Sequence, residues 1–194
     1  AGQGGVLTEK ISRRSFGKLL GAQTVLASTV TLSGCLGGGG GGSDETPAPG
    51  SKTLTRAEFV ATVSDYFDWA HSSEYVDQFK SVQQTFVDVS LGETAHAKQI
   101  EMALEESLID NSLGYFYPEQ SITREDAADI YVKAFKIPAA VSDPLTGFTD
   151  KSSISADKLA SVKAMVAGGY MSGTSTTLFS PKGTLTADEA KAIQ

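Results

Sequence analysis

The segment Ser121–Ala128, SITREDAA, carries a short pattern that occurs three times in the chain. The pattern is an aliphatic residue, Thr, two variable residues and an acid, and its copies begin at Leu54, Ile122 and Leu185. Thr followed three residues later by Glu or Asp is typical of a capping box, in which side chain and backbone of the helix start satisfy each other. An apolar periodic run follows the first two copies, so the pattern predicts helix starts.

An Arg follows the Thr in two copies, at Arg56 and Arg124. The helix macrodipole disfavours a cation at this first helical position by some tenths of a kcal/mol. A helix start attracts anions through its free N–H groups, and a guanidinium adds a bidentate clamp for a carboxylate or phosphate. The position therefore favours an anion site, the alternative being an Arg that reaches solvent or pairs with a neighbouring acid.

The N-terminal region is similar to an export signal. Ser12–Lys18 reads SRRSFGK and resembles the twin-arginine pattern through Arg13 and Arg14, and the uncharged stretch Leu19–Gly34 follows it. That stretch is too short and too weakly apolar for a good membrane span but suits the apolar region of a signal peptide. We therefore interpret residues 1–34 as a twin-arginine lipoprotein signal peptide, against the alternative of a chance Arg pair.

A lone cysteine follows this region. Leu32–Cys35 reads LSGC and resembles the lipobox of bacterial lipoproteins, in which the peptide is cut before a Cys that carries the lipids. Cys35 is the only cysteine, so an intramolecular disulfide is impossible. The resemblance implies lipidation of Cys35, the alternative being a free thiol. Residues 35–51 are rich in Gly and Pro and are expected to form a disordered, flexible linker.

The charge balance limits the partners. The chain has 194 residues, of which 40% are hydrophobic and 20% charged, which suits one globular domain plus extra segments. Without residues 1–34 it keeps 12 basic and 22 acidic residues, a formal charge of −10. Such a surface repels nucleic acid and anionic lipid headgroups. Nucleic-acid binding is therefore not expected, and membrane attachment is expected from the lipid alone.

Apolar periodicity predicts an all-α domain after the linker. Helices are expected at Thr55–Trp69, Thr94–Ile109, Thr123–Lys136 and Ser155–Ala167, with a short surface helix within 70–85. The third copy of the pattern is expected to begin a last helix at Thr186.

Two further landmarks repeat with nearly the same offset as the capping pattern. Phe86–Asp88 is echoed by Phe148–Asp150, and Phe116–Pro118 is echoed by Phe179–Pro181. The offset between Phe116 and Phe179 equals the offset between Thr123 and Thr186. The chain therefore repeats a helix–loop–capped helix unit, and such units bury their apolar faces only against one another.

The order F-x-D, helix, Gly-bearing turn, F-x-P and [IL]-T-R-x-[ED] resembles the S-layer homology (SLH) domain. The resemblance covers residues 52–194 and implies repeats at about 52–85, 86–147 and 148–194, the last one truncated. It implies a pseudo-threefold prism of helical repeats. The grooves between such repeats hold secondary cell-wall polysaccharide, often through the carboxylate of a pyruvate ketal.

The resemblance also implies site residues. It makes Arg56 and Arg124 the anion clamps, and Glu58 and Asp126 the motif acids beside them. Tyr117 is a candidate for stacking on a sugar ring, because C–H groups on sugar faces suit aromatic planes.

Neighbouring positions are less certain or depart from the family pattern. Phe116 is expected in the core, and Tyr115 is left open between core and sugar contact. Ala187 stands where the third copy should have Arg, so the third groove is expected to bind weakly or not at all. The Trp usual in the first helix of each repeat is missing.

Catalytic and metal sites are not expected. His71 and His96 are the only histidines and lack ligand spacing, and no calcium-loop pattern or nucleophile elbow occurs. No cofactor is predicted. We therefore expect a non-catalytic, exported and lipid-anchored module at the cell surface that binds anionic wall polysaccharide. The alternatives are a protein-interaction scaffold that has lost glycan binding, and the anchor region of an exported enzyme whose catalytic domain lies beyond Gln194.

Overall fold

The computed structural model describes residues 52–193. The predicted signal peptide with Arg13 and Arg14, the predicted lipidation site Cys35 and the linker lie outside the described residues. Within 52–193 the chain is helical, with isolated β-bridges and no strand, so the all-α prediction is confirmed. The helices are α1 (Arg56–Phe67), α2 (Val76–Ser81), α3 (Ala97–Glu105), α4 (Arg124–Phe135), α5 (Leu159–Ala167) and α6 (Ala187–Ile193).

Helices α1 and α4 end within two residues of their predicted ends. Thr55 and Thr123 are the N-caps of α1 and α4. Asp68 and Lys136 end these helices in the left-handed conformation, and their backbone N–H groups donate to carbonyls of the last turn.

Helix α5 begins four residues later than predicted, because residues 155–158 close a separate turn in which the Lys158 N–H donates to Ser155 O at 2.9 Å. The Ser155 N–H donates to Glu125 Oε2 at 3.0 Å, and its hydroxyl donates to Glu125 Oε1 at 2.8 Å. The predicted first turn therefore binds the start of α4, and the regular helix begins only at Leu159.

The three copies of the capping pattern meet in a closed ring of backbone hydrogen bonds. Leu54 N–H donates to Leu185 O at 3.0 Å, Leu185 N–H donates to Ile122 O at 3.1 Å, and Ile122 N–H donates to Leu54 O at 3.0 Å. All three side chains are buried. This cyclic order gives the domain its pseudo-threefold centre.

Helices pack across the predicted repeat boundaries. Helix α1 packs on α3, and α4 packs on α5, so each of these two capped helices pairs with the next long uncapped helix along the chain. Phe59 and Tyr131 join α1 to α4 through an edge-to-face contact with ring centroids 4.9 Å apart. The largest fully buried side chains of the core are Trp69, Tyr131, Phe59, Phe86, Phe116 and Phe179.

The F-x-D and F-x-P motifs form an internal clamp. The Asp88 carboxylate accepts the N–H groups of Phe116 and Tyr117 at 2.8 and 2.7 Å. Asp150 accepts those of Phe179 and Ser180 at 3.0 and 2.7 Å. Each carboxylate therefore fixes the loop that leads into the next capped helix.

None of the helices described between residues 52 and 193 has the length and apolar character to cross a bilayer.

Candidate functional site

The capping box forms as predicted in the first and last copies of the pattern, and the middle copy forms only one of its two bonds to the backbone. Thr55 with Glu58, and Thr186 with Glu189, exchange both bonds of a capping box. In the middle copy the Thr123 hydroxyl accepts from the Asp126 N–H, and the Asp126 carboxylate accepts the Thr123 hydroxyl at 2.8 Å. Asp is one methylene shorter than Glu, which accounts for its carboxylate bonding the nearby hydroxyl.

The backbone N–H groups at these helix starts are occupied. The N–H groups of Arg56 and Ala57 donate to Gln120 O and Pro118 O at 2.7 and 3.1 Å, and the next two donate to Thr55. The first turn of α4 is filled in the same way by the loop before the third copy. The expectation that free N–H groups attract an anion here is therefore wrong, and an anion at this place must be met by side chains.

Arg56 is held along one edge and open along the other. Its Nε donates to Phe116 O at 2.8 Å, its Nη1 lies 3.3 Å from Asp126 Oδ2, and the guanidinium carbon lies 4.8 Å from the centre of the Phe116 ring. About a quarter (24%) of the side chain is exposed. Among residues 52–193 its Nη2 has no hydrogen-bond partner. The guanidinium is therefore oriented by the protein while one nitrogen stays available.

Arg124 makes the equivalent bonds but is closed on all sides. Its Nε donates to Phe179 O at 3.0 Å, its Nη2 donates to Ser172 O, and its Nη1 pairs with Glu189. Only 4% of the side chain is exposed. Burial lowers the pKa of Arg124, and the Glu189 carboxylate opposes that shift. All three guanidinium nitrogens of Arg124 are therefore bound within the protein, as in a residue that stabilises the fold.

The capping patterns meet in pairs at three junctions, each with a pair between a cation and the acid of a capping pattern. The junction at Glu58, the third, uses a different cation from the other two. Arg56 and Arg124 each pair with the acid of the next capping pattern, whereas Ala187 has no charge to pair with Glu58. Glu58 instead pairs with Lys52, which lowers its pKa through their hydrogen bond. Lys52 therefore closes the cycle of cation–acid pairs around the pseudo-threefold centre.

Two clefts lie beside the two Arg residues. Cleft A encloses about 250 Å³, and its walls include Arg56, Tyr115, Tyr117, Asp126, Lys133 and Lys158. Cleft B encloses about 90 Å³, and its walls include Arg124, Tyr170, Ser172, Leu185, Glu189 and Ile193. Cleft A is therefore the roomier of the two and the one with an open guanidinium edge.

An ion-pair cluster around the buried Asp129 forms part of the wall of cleft A. The Asp129 carboxylate lies 2.9 Å from Lys133 Nζ and 3.0 Å from Lys158 Nζ, and it accepts the Ser161 hydroxyl at 2.8 Å. Burial raises the pKa of Asp129, but these hydrogen bonds outweigh it and the net shift is downward. Burial lowers the pKa of Lys158, and its bond to Asp129 turns the net shift upward. Both shifts favour the charged pair.

The three aromatic residues of the segment 115–117 differ in burial. Phe116 is buried, as expected, and packs 5.6 Å from Phe86 between ring centroids. Tyr115 and Tyr117 are 46% and 43% exposed and stack on each other beside cleft A.

The structure thus brings only some of the predicted site residues together. Arg56, Asp126 and Tyr117 share cleft A, Arg124 lies at cleft B, and Glu58 lines neither cleft. Their binding of a glycan stays a prediction.

The sequence did not predict the three lysines that pair with acids at cleft A and at Glu58. Lys133 lies four residues after Asp129, a helical ion-pair spacing that was a usable signal. Lys158 and Lys52 reach their partners through tertiary structure and had no local signal.

The histidines do not take part in the clefts. His71 is exposed and lies 2.9 Å from Asp68, and His96 is an exposed residue at the start of α3. Within the described part of the chain, no cluster of three or more His, Cys, Asp or Glu side chains is arranged to hold a metal ion.

Comparison with known proteins identifies one domain and two relatives. Residues 147–190 match the family model of the S-layer homology domain. The chain is 31% identical over 156 residues to exoglucanase XynX of Acetivibrio thermocellus and 32% identical over 159 residues to an amylopullulanase of Thermoanaerobacterium thermosulfurigenes. Each match covers 78% of this chain but only 13% and 8% of the respective relative. The chain therefore spans about a tenth of the length of these relatives.

Proposed function

Because residues 147–190 match the S-layer homology domain, a non-catalytic domain that anchors proteins to cell-wall polymers, we propose that this chain is a cell-envelope anchoring module. Its ligand in this proposal is an anionic secondary cell-wall polysaccharide that carries a pyruvate ketal. The module works by binding, without a catalytic step and without a cofactor.

The observation that carries the proposal is the open guanidinium edge in cleft A. Arg56 is fixed by Phe116 O and Asp126 yet keeps Nη2 free among the described residues. A carboxylate that approaches this edge meets a pre-oriented donor, so little side-chain entropy is lost on binding. Asp126 holds the guanidinium in place, and Tyr117 supplies an exposed ring at the same cleft.

The other junctions have weaker roles in this proposal. Arg124 binds a glycan at cleft B only if an anion replaces Glu189, because its remaining donors are used inside the protein. Glu58 belongs to the third junction, where Lys52 replaces the missing Arg. Cleft A is therefore proposed as the main binding site.

The membrane end of the proposal rests on the N-terminal sequence. Export through Arg13 and Arg14 followed by lipidation of Cys35 would place the module on the outer face of the membrane, where it links membrane and wall. Mass spectrometry of the mature protein tests this. A diacylglycerol adduct on an N-terminal Cys35 is expected, and an unmodified Cys35 or an uncut N-terminus would refute the lipid anchor.

Binding to purified sacculi of the producing bacterium tests the glycan. We expect the full chain to cosediment with sacculi and Arg56→Gln to bind at least about tenfold more weakly, since a charge-assisted hydrogen bond contributes about 1.5–3 kcal/mol. Lys80→Gln is the matched control, because it removes one exposed positive charge from α2, away from the cleft A walls. Equal binding by Arg56→Gln and Lys80→Gln would rule out the Arg56 clamp.

A second candidate function is the anchor region of an exported enzyme. It is favoured by the similarity to relatives named as an exoglucanase and an amylopullulanase, which are far longer than the matched region. Sequencing the gene beyond the codon for Gln194 tests it, and an immediate stop codon would reject it. A scaffold that binds proteins and no glycan is the remaining alternative, and the sacculus experiment separates it from the first proposal.

A further inference from the structure

We propose that Tyr115 and Tyr117 form a stacking ridge that binds the apolar face of a pyranose ring while the acidic substituent of the same sugar reaches Arg56. This inference rests on the proposed glycan function and names the part of the ligand that cleft A reads besides its charge.

The ridge is built and exposed. The Tyr115 and Tyr117 rings are stacked with centroids 5.8 Å apart and planes 20° apart, and nearly half of the surface of each residue is exposed. Both rings line cleft A together with Arg56. Two adjacent exposed aromatic rings in a cleft with an oriented cation form a surface that suits an amphipathic ligand.

Hydrogen bonds hold the backbone that carries the ridge. Tyr117 has a φ of +59°, a conformation that a non-Gly residue rarely adopts. Its N–H and that of Phe116 are both bound by the Asp88 carboxylate, and the ring of Phe116, which separates the two tyrosines in sequence, is buried in the core. The backbone that carries the two rings is therefore held in place before any ligand arrives, which reduces the entropy cost of binding.

The equivalent loop of the third repeat lacks the ridge. When the two F-x-P motifs are aligned, Tyr115 corresponds to Leu178 and Tyr117 to Ser180, while Phe116 corresponds to the buried Phe179. Ser180 has the same left-handed φ, +57°, and its N–H is bound by Asp150. The two loops therefore share a backbone, and the aromatic rings are an addition specific to cleft A.

The charge balance of cleft A favours a sugar with a single acid over a polyanion. Its walls hold three cations, Arg56, Lys133 and Lys158, and three acids, Asp110, Asp126 and Asp129. The two lysines share the Asp129 carboxylate, whereas Arg56 has Nη2 without a hydrogen-bond partner among residues 52–193. A cleft with no net charge gains little from a string of phosphates, and apolar contact must supply much of the affinity.

The test uses wall polysaccharide released from sacculi, in its native form and with its carboxylates converted to methyl amides. Titration calorimetry compares the full chain with Tyr115→Leu/Tyr117→Ser, which copies the third repeat, and with Tyr117→Phe. Val141→Ser is the control, because Val141 is a fully exposed apolar side chain that is not among the cleft walls. Circular dichroism and thermal unfolding check that each variant is folded.

The expected results separate the ring contact from the charge contact. Tyr115→Leu/Tyr117→Ser should lose about fivefold in affinity, equivalent to about 1 kcal/mol, for both forms of the polysaccharide, because the aromatic contact with the sugar is removed. Val141→Ser should bind as the unaltered chain does, Tyr117→Phe, which keeps the ring, should bind more tightly than the double tyrosine variant, and Arg56→Gln should lose affinity for the native form alone. Undiminished binding by the double tyrosine variant overturns the ridge while leaving the proposed function intact. Failure of the unaltered chain to bind sacculi overturns the proposed function itself.

Discussion

At the scale of single residues, Arg56 and Arg124 bind equivalent carbonyls through Nε but differ in exposure. Each donates Nε to the carbonyl of a buried Phe and lies over that ring. The Arg124 side chain is 4% exposed and has a partner at Nε and at both terminal nitrogens, whereas Arg56 keeps an open edge. One side chain therefore contributes mainly to stability, and the other is available for binding.

This difference predicts unequal losses of stability in variants of the two residues. Arg124→Gln should lower the free energy of unfolding by about 2–4 kcal/mol, because Phe179 O, Ser172 O and Glu189 lose their donor in a buried place. Arg56→Gln should cost about 1 kcal/mol or less. Urea unfolding of both variants measures this, and equal losses in the two variants would contradict the assignment of roles.

The Asp129 cluster predicts how stability depends on pH. The pKa of Asp129 is lowered in the folded state, so its contribution is present above its unfolded value near pH 4 and is lost as pH falls. The pKa of Lys158 is raised, so its contribution is complete below its ordinary value and is lost at strongly alkaline pH.

Asp129→Asn should therefore flatten the decline of stability between about pH 5 and pH 2. Asp157→Asn is the control, because Asp157 is 72% exposed and lies 3.4 Å from the same Lys158. Urea midpoints measured across this range provide the test. If the urea midpoint of Asp129→Asn fell with decreasing pH as steeply as that of the unaltered chain, the cluster would not control the loss of stability in acid.

At the scale of helices and loops, the F-x-D carboxylates connect motifs that are far apart in sequence. Asp88 binds the Phe116–Tyr117 turn 28 and 29 residues away, and Asp150 does the same in the next repeat. The repeated spacing predicted that these motifs belong together. It did not predict the clamp, because bonds from a side chain to a distant backbone leave no local periodicity.

The clamp predicts a graded response to substitution at Asp88. Asp88→Ala removes both acceptors and should cost about 2–4 kcal/mol, whereas Asp88→Asn keeps one acceptor oxygen and should cost about half as much. Thermal unfolding ranks the variants. If alanine and asparagine proved equally mild, the loop would be held by other contacts.

Sequence reasoning at this scale succeeded where signals are local. Capping residues and apolar stripes located α1 and α4 to within a residue or two. The start of α5 was misplaced by four residues, because residues 155–158 form an i→i+3 turn whose first residue binds Glu125, 30 residues earlier. The anion site was likewise inferred from N–H groups that the neighbouring loops occupy.

At the scale of the whole molecule, the domain is closed by bonds between its first and last described segments. Leu54 N–H donates to Leu185 O, and Ala187 N–H donates to Lys52 O at 2.8 Å. The sequence predicted three units that pack together. The replacement of the third Arg by Lys52 was not predictable, because it depends on how the ring closes.

Ring closure predicts that the repeats do not fold separately. A fragment of residues 86–194 lacks Leu54 and the whole of α1, so Ile122 and Leu185 each lose a ring partner and α3 loses the helix it packs on. We expect this fragment to show little helical circular dichroism and no cooperative thermal transition. A cooperative transition like that of the full chain would contradict a closed three-part domain.

The most direct test of the central claim is cosedimentation of the full chain with two preparations of the same sacculi, one intact and one stripped of its attached polysaccharide by hydrofluoric acid. Binding through cleft A to an acidic wall polysaccharide predicts strong retention on intact sacculi and loss of retention on the stripped peptidoglycan. Equal retention on both preparations, or none on either, would contradict it.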